Sequence, residues 1–536
     1  MINSIIKKEW LKIRFIILTL FVISIGILAK FWYNLDFSFS TVEPESIMWY
    51  RFSALEQKPY EYLSYLYFII GLAIAIFQFV PERVRNRIKI MTHLPISLSK
   101  SLFLHLFIGI FYIFILSLII TIAIGSIVSV YYPAEIISIA MKDISFYFLG
   151  SIIVYLGVSA AIIEKNPVVS AVKLVIAVLF IFVFHKTIFT SLDLIWVLIS
   201  ILMLFVALDS FYSIKEQRLE NLAFRFFAFI SIVVVSYFSY NLYLDKYKHE
   251  FNKYYIFYSP IAKAFVYQKN YGDHQFEYGI KGVTVFDRKT YESYLPFVYW
   301  RNLDIQGKLP IQIADESFDK KTIKNSRLSF SYNPNLLKKQ EVQLYPFINP
   351  MSKIGMIRFP EEVIALNKNG INIYNFDDGL DEELTKELKS LLDSNKVSFP
   401  IKNIWGKSTN MKPFDLGYFF LDADDKLFRV NRADNKISLE NIKYPKGIKI
   451  KFMKISENKK RELAGFAIDS NNSFYIIDYK TFEFKKLELK NFDYKNMKLL
   501  FISNAKYYLV RYTDEDKYYG VVFDKNFKKL DEDIFE

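Results

Sequence analysis

"PERVRNRIKIMTHLPISLSK", residues 81–100, separates two long apolar runs and carries Arg83, Arg85, Arg87 and Lys89. Its position between apolar runs makes it a loop between membrane helices, so its charge sets which way the chain faces. Pro81 and Glu82 suit a first helical turn: the missing proline amide is not needed there, and an acid meets the positive end of the helix dipole. The following basic residues are interleaved with Val84, Ile88, Ile90 and Met91. That pattern predicts a short amphipathic helix along the membrane surface. His93, Leu94 and Pro95 close it, because proline cannot continue the hydrogen-bond ladder. Ser97 or Ser99 can then cap the next span. The plainer reading of the same residues is a positive anchor that only fixes topology.

Working outward, a spanning helix needs about 20 mostly apolar residues. Seven runs qualify, at 14–34, 61–80, 103–128, 145–163, 168–185, 190–211 and 224–244, and residues 1–13 precede them as an amphipathic N-terminal helix. The first run is read as a retained helix and not a signal peptide, since no small-residue cleavage site follows it. Lys7, Lys8, Lys12, the 81–100 segment, Lys165, Lys215, Arg218 and Arg225 fall in loops on one side. The opposite loops hold Asp36, Glu43, Glu45, Glu56, Glu135 and Asp143 alongside Arg51, Lys58 and Lys142. This bias places the N-terminus in the cytoplasm. An odd number of spans then places residues 245–536 outside it. Lys30, Lys173, Asp193 and Asp209 lie near span ends, where long side chains reach the interface. His105 starts the third span. So few acids within the spans argue against a proton relay or an ion-coupled pathway.

The chain has 536 residues, 52 Phe, 38 Tyr and a formal charge of +13. No basic face with a nucleic-acid-binding module accompanies that charge, so nucleic acid is not an expected partner. With no cysteine, disulfides, thiolate metal sites and a cysteine nucleophile are excluded. The five histidines, His93, His105, His185, His249 and His274, show no metal-ligand spacing.

Residues 1–212 resemble the ABC-2 type transporter permease family. The resemblance rests on "IIKKEWLKIRF" (5–15), Glu82, "LPIS" (94–97) and Lys100, in that order. It implies a polytopic α-helical permease domain in a bacterial cytoplasmic (inner) membrane, working as a homodimer or paired with another permease. It also implies that the segment after the second span is a coupling helix for a cytoplasmic ABC ATPase. Glu82, Arg83, Arg85, Arg87, Lys89, His93, Leu94 and Pro95 are the docking residues on this reading. Six spans are usual in the family, so a seventh leading to a large outer domain is a departure. The chain has no G-x-x-x-x-G-K-[S/T] loop; "GDHQFEYGIKG" (272–282) has glycines at the wrong spacing. No cofactor is therefore expected in this chain, and ATP would be bound by the partner subunit. No enzymatic activity of its own is expected.

Beyond residue 244 the pattern changes to β. "EEVIALNKNGINIYNF" (361–376), "GYFFLDADDKLFRVN" (417–431), "GFAIDSNNSFYIIDY" (465–479) and "KYYLVRYTDEDKYYGVVFD" (506–524) each read as strand, polar turn, strand. Their spacing of roughly 45–55 residues predicts a propeller-like, mainly β extracytoplasmic (periplasmic) domain over 245–536. "DEELTKELKSLLDS" (381–394) reads as a helix. "DADD" (422–425) and "DDGLDEE" (377–383) lack EF-hand spacing and read as a turn and a helix start. The aromatic "YESYLPFVYWRNLDIQGKLP" (291–310) reads as core. Residues 250–536 also resemble uncharacterised bacterial proteins associated with ABC transporters, which assigns no activity. The alternative function is a membrane-anchored sensor or assembly scaffold whose β-domain binds a partner, although seven spans exceed what an anchor needs.

Overall fold

The computed structural model describes residues 2–84, 87, 98–186, 194–215, 218–247, 253–368, 370–514 and 516–536. The chain divides into two compact units, Met1–His249 and Glu250–Glu536.

The first unit is helical. Its helices are α1 (Ile2–Thr41), α2 (Ser46–Leu55), α3 (Ser64–Arg83), α4 (Leu98–Tyr131), α5 (Ala134–Ile163), α6 (Pro167–Lys186), α7 (Leu194–Lys215) and α8 (Arg218–Tyr247). The expected 1–13 helix and the first span are one continuous element, α1, because nothing in "KKEWLKIRFIILTLF" breaks a helix. Helix α5 is the centre and packs against α3, α4, α6 and α7. Close packing depends on small residues: a Cβ at Gly71 would lie 2.2 Å from the Ser151 carbonyl oxygen, and one at Gly109 would lie 2.1 Å from the Tyr155 hydroxyl. Helix α1 instead leaves Phe15, Leu18, Val22, Trp32 and Phe37 exposed. An apolar face of that kind suits lipid, where every backbone group is already paired within the helix.

Among the described residues, four helices are long and apolar enough to cross a membrane: Ile2–Thr41, Glu61–Arg83, Lys100–Tyr131 and Ala134–Ile163. They contain the first four expected spans. Of the seven expected spans, four are supported among the described residues. In the regions of 168–185, 190–211 and 224–244 the qualifying apolar stretches are Pro167–Phe182, Val197–Tyr212 and Phe229–Phe238, none longer than 17 residues. The helices that contain them, α6, α7 and α8, run for 20, 22 and 30 residues. Counting among the described residues therefore does not place residues 245–536 outside.

The second unit contains five meander sheets. Sheet I comprises β1 (Tyr254–Ser259), β2 (Ala264–Asn270), β3 (Phe276–Ile280) and β4 (Thr284–Phe286). An insertion follows: α9 (Arg288–Tyr294), α10 (Trp300–Ile305), the β5–β6 hairpin (Ile311–Ile313, Glu316–Phe318), α11 (Lys320–Ser326) and β7 (Leu328–Tyr332). Sheet II holds β8 (Leu344–Pro346), β9 (Glu362–Leu366), β10 (Ile371–Asn375) and β11 (Gly379–Leu380), followed by α12 (Glu382–Ser394). Sheet III holds β12 (Asn403–Trp405), β13 (Tyr418–Leu421), β14 (Leu427–Ala433) and β15 (Lys436–Ile442). Sheet IV holds β16 (Ile450–Ile455), β17 (Leu463–Asp469), β18 (Phe474–Asp478) and β19 (Phe484–Leu487). Sheet V holds β20 (Lys498–Ser503), β21 (Tyr507–Thr513), β22 (Tyr518–Asp524) and β23 (Lys529–Phe535), with β7 added beside β20.

Alternation along each strand stacks the sheets. Phe466 and Ile468 of β17 face sheet V in a core with Phe330, Phe501 and Val510. Ala464 and Ala467 of the same strand face sheet III with Phe419 and Leu427. Sheets III and II share a core with Leu388 and Leu392 of α12. Sheet V meets sheet I through Leu509, Val522, Phe265 and Tyr267. The order is therefore I–V–IV–III–II. The expected propeller does not close: among the described residues no core cluster joins sheet I to sheet II. The reason lies in β2, where Val266 points away from Phe265 and Tyr267 and packs under Tyr291 and Leu295 of the insertion. The outer face of sheet I is thus already covered.

The acid-rich turns also have a local cause. Asp422 Oδ1 accepts from the amides of Asp424 and Lys426, and Asp469 Oδ1 from those of Asn471 and Ser473. Asp524 repeats the pattern with Asn526 and Lys528. Each aspartate tethers its own turn. Asp381 caps α12 by accepting from the Leu384 amide.

Candidate coupling site and buried charge networks

Helix α3 ends at Arg83 and carries Glu82 on its inward face, only 4% exposed. Two lysines one turn apart on α1 meet that carboxylate: Lys8 Nζ at 2.7 Å and Lys12 Nζ at 2.8 Å from Oε1. Lys12 also reaches Glu9 Oε1 at 2.5 Å, and the His105 ring of α4 lies 3.7 Å from the same atom. Glu9 is fully buried. Deeper in, Gln78 Nε2 donates to the His105 carbonyl at 2.8 Å, and Tyr155 of α5 donates to Gln78 Oε1 at 2.8 Å. One network therefore joins α1, α3, α4 and α5 at the end of α3. Its lysines answer the desolvation of two carboxylates, a requirement that isolated buried acids cannot meet.

Arg83 acts differently. Its Nη1 donates to the Ile163 carbonyl at 3.0 Å and the Glu164 carbonyl at 2.6 Å, at the end of α5. Those carbonyls have no intrahelical partner, and a cation there also suits the helix dipole. A second network follows. Lys173 Nζ lies 2.8 Å from Glu164 Oε2, 2.5 Å from Asp209 Oδ2 and 2.8 Å from Ser210 Oγ. The expectation that Lys173 and Asp209 reach the interface is not what the geometry gives: they are 3% and 4% exposed and pair with each other. Toward the opposite end of α3, Lys58 and Tyr60 donate to Asp143 Oδ2 at 2.6 and 2.7 Å.

Of the residues expected to dock an ATPase, Glu82 and Arg83 are engaged internally, and Arg87 is exposed. Arg85, Lys89, His93, Leu94 and Pro95 lie outside the described residues. Sequence reading missed Glu9, Gln78 and Tyr155. The Glu9–Lys12 spacing of an i,i+3 pair was the available signal. For Gln78 and Tyr155 the signal was a polar side chain within an apolar run.

The β unit holds a further buried group. Lys412, in the β12–β13 connection, is ion-paired to Asp415 and lies 3.1 Å from Glu457 Oε1, with all three side chains at most 4% exposed. Glu457 Oε1 also accepts from the Leu416 amide at 2.8 Å. Glu457 Oε2 is buried without a hydrogen-bond partner. Burial pushes the Glu457 carboxyl up to about 7; Lys412 opposes the rise and Asp415 adds to it. Among the described residues no group of three or more His, Asp or Glu is placed to hold a metal.

Together these features define a protein with membrane-spanning-type helices, charge-locked at their ends, and a multi-sheet β unit. Residues 255–523 match the family DUF4857, described as a domain of unknown function, and the chain belongs to that family. Residues 1–212, over which the permease resemblance is drawn, lie outside that match. No curated protein and no solved structure matches the chain.

Proposed function

We propose that this chain is the membrane-spanning permease subunit of an ABC transporter in a bacterial cytoplasmic membrane, moved by a separate cytoplasmic ATPase that docks on residues 81–96. The observation that supports it best is the Glu82 network. A carboxylate at the start of the basic segment is tied to Lys8 and Lys12 of α1 and, through Gln78, to α4 and α5. Displacing that segment would strain four helices together, which is what coupling to an ATPase requires. In this proposal α6, α7 and α8, of 20, 22 and 30 residues, complete the passage through the membrane. The N-terminus is then cytoplasmic, and the β unit lies outside, handling substrate or docking a partner. ATP is held by the ATPase, and the permease acts as a homodimer or with a second permease.

The test separates docking from internal locking. Replacing Glu82, Arg85 and Arg87 together should lower ATPase co-purification without loss of membrane insertion. Replacing only Arg85 and Arg87 leaves the Lys8–Glu82–Lys12 lock intact and should still lower it. Unchanged co-purification of both variants would refute docking at this segment. The second reading, a membrane-anchored sensor or scaffold, draws on a polar cavity of about 600 Å³ beside Asn472, Lys486 and Lys529 in the β unit. It requires that no ATPase accompany the native chain.

A further inference from the structure

Four residues in register across sheet V, Ser331, Leu500, Arg511 and Gly520, share the face turned toward sheet I. Strand β1, the edge of sheet I, packs mainly over β21 and β22 of sheet V. At Gly520 the sheets come so close that a Cβ would lie 2.7 Å from the Phe265 ring. On the other side of Arg511, toward β20 and β7, a cavity of about 340 Å³ opens. Tyr254, Tyr255, Tyr518, Ser331, Lys498 and Arg511 are on its wall, and no Asp or Glu contributes to it. Such a volume suits a small ligand.

Arg511 is the group this cavity leaves incompletely served. Its Nη1 donates to the Ile256 carbonyl at 3.0 Å, and its guanidinium lies 4.7 Å from the centre of the Phe257 ring. Among the described residues it has no carboxylate within ion-pairing distance. Its electrostatic neighbours are the Tyr291 and Tyr255 phenols. Burial pulls it down to about 10, which still leaves it cationic at neutral pH. A guanidinium has five N–H donors in a planar fork that fits a carboxylate with two parallel bonds. Arg511 is partly exposed and lies on the cavity wall, so donors not taken by Ile256 can meet a ligand there. The tyrosines beside it add flat apolar faces with polar rims, and Tyr254 and Tyr518 meet edge to face at 5.6 Å.

We propose that this cavity binds a small ring-bearing carboxylate, its carboxylate on Arg511 and its ring against the tyrosines. The ring can belong to a sugar acid or to an aromatic acid. The test uses the full chain in detergent, with glucuronate and benzoate as probes, glucose and benzamide as their neutral counterparts, and inorganic phosphate as the competing anion. One of the two carboxylates should saturate a single site per chain. It should bind at least about tenfold more tightly than its neutral counterpart or phosphate. Saturation by glucuronate alone identifies the sugar acid, and by benzoate alone the aromatic acid. Arg511→Lys keeps the charge but loses the fork, and should weaken binding about tenfold or more with an unchanged melting transition. Ser331 is exposed at the rim, so Ser331→Trp should block the cavity without touching the core. It keeps the test open if the arginine variant does not fold. Absence of saturable binding by either carboxylate overturns the proposal, as does equal binding of phosphate or undiminished binding by Ser331→Trp.

Discussion

Replacing Glu457 by glutamine should remove a specific pH dependence from the β unit. In the native chain, Asp415 and Glu457 share one cation, Lys412, where all three are shielded from water. Two ionised acids on one lysine leave an uncompensated buried charge, so the proton stays on longer than it does in the unfolded chain. The folded value is about 7 against an ordinary 4.5. The native state therefore binds more protons between those limits, and stability falls as pH rises through them. It is complete below about 4.5 and lost above about 7, a span worth roughly 3 kcal/mol. Other acids slope the opposite way. Burial works against the Asp478 charge, yet the Thr481 and Lys480 amides hold it below the usual carboxylate range. Only the difference between wild type and Glu457→Gln isolates the effect. The assay is hydrogen exchange in β17 peptides of the detergent-solubilised chain, from about pH 5 to 8, corrected for intrinsic rates. The difference in opening free energy should change by roughly 3 kcal/mol in favour of the variant as pH rises. Parallel curves for the two proteins would refute the reasoning.

Three other outcomes follow from particular contacts. Gly465 sits at φ +146 beside a register shift in β17, where a Cβ would lie 1.9 Å from the Lys454 carbonyl oxygen; Gly465→Ala should destabilise the β unit by more than about 2 kcal/mol, seen as early loss of hydrogen-exchange protection in sheet IV. Lys173→Met leaves Glu164 and Asp209 buried without their shared cation and should cost about 3–5 kcal/mol, read as a lower melting temperature in detergent, with Lys173→Met/Asp209→Leu recovering part of the loss. A cysteine placed at exposed Met411, in a chain that has none, should react with a membrane-impermeant thiol reagent in intact spheroplasts if the β unit is outside; labelling only after lysis would place it in the cytoplasm.

Much of this architecture was legible because it is periodic. Apolar runs of helical length gave the first four spans, and the strand–turn–strand pattern gave the hairpins at 361–376, 417–431, 465–479 and 506–524. The aspartates of those turns were read correctly as turn residues, since a side chain that tethers its own amides is a local matter. Propeller closure was not legible, because it depends on which face of sheet I stays free, and Val266 is capped by residues from an insertion elsewhere in the chain. The last three spans are less legible, since their apolar stretches among the described residues run to no more than 17 residues. The site was harder still. Glu82 was read as the acid of a new helix start, whereas it and Pro81 lie in the last turn of α3, and its lysine partners come from a helix some seventy positions earlier. Lys173 and Asp209 looked like interface residues because sequence shows proximity to a span end and not what faces it. Arg511 was invisible, because which residues line the cavity around it depends on the packing of sheet I on sheet V.

The coupling claim is tested most directly by placing a photo-crosslinking amino acid at Arg87, an exposed position within the basic segment. Irradiation of native membranes, followed by mass spectrometry of the adduct, should recover a protein with a Walker A loop, and the adduct should disappear when Arg85 is also replaced. Recovery of lipid or of this chain alone, with no ATP-binding protein at any level of expression of its genomic neighbours, would contradict the account.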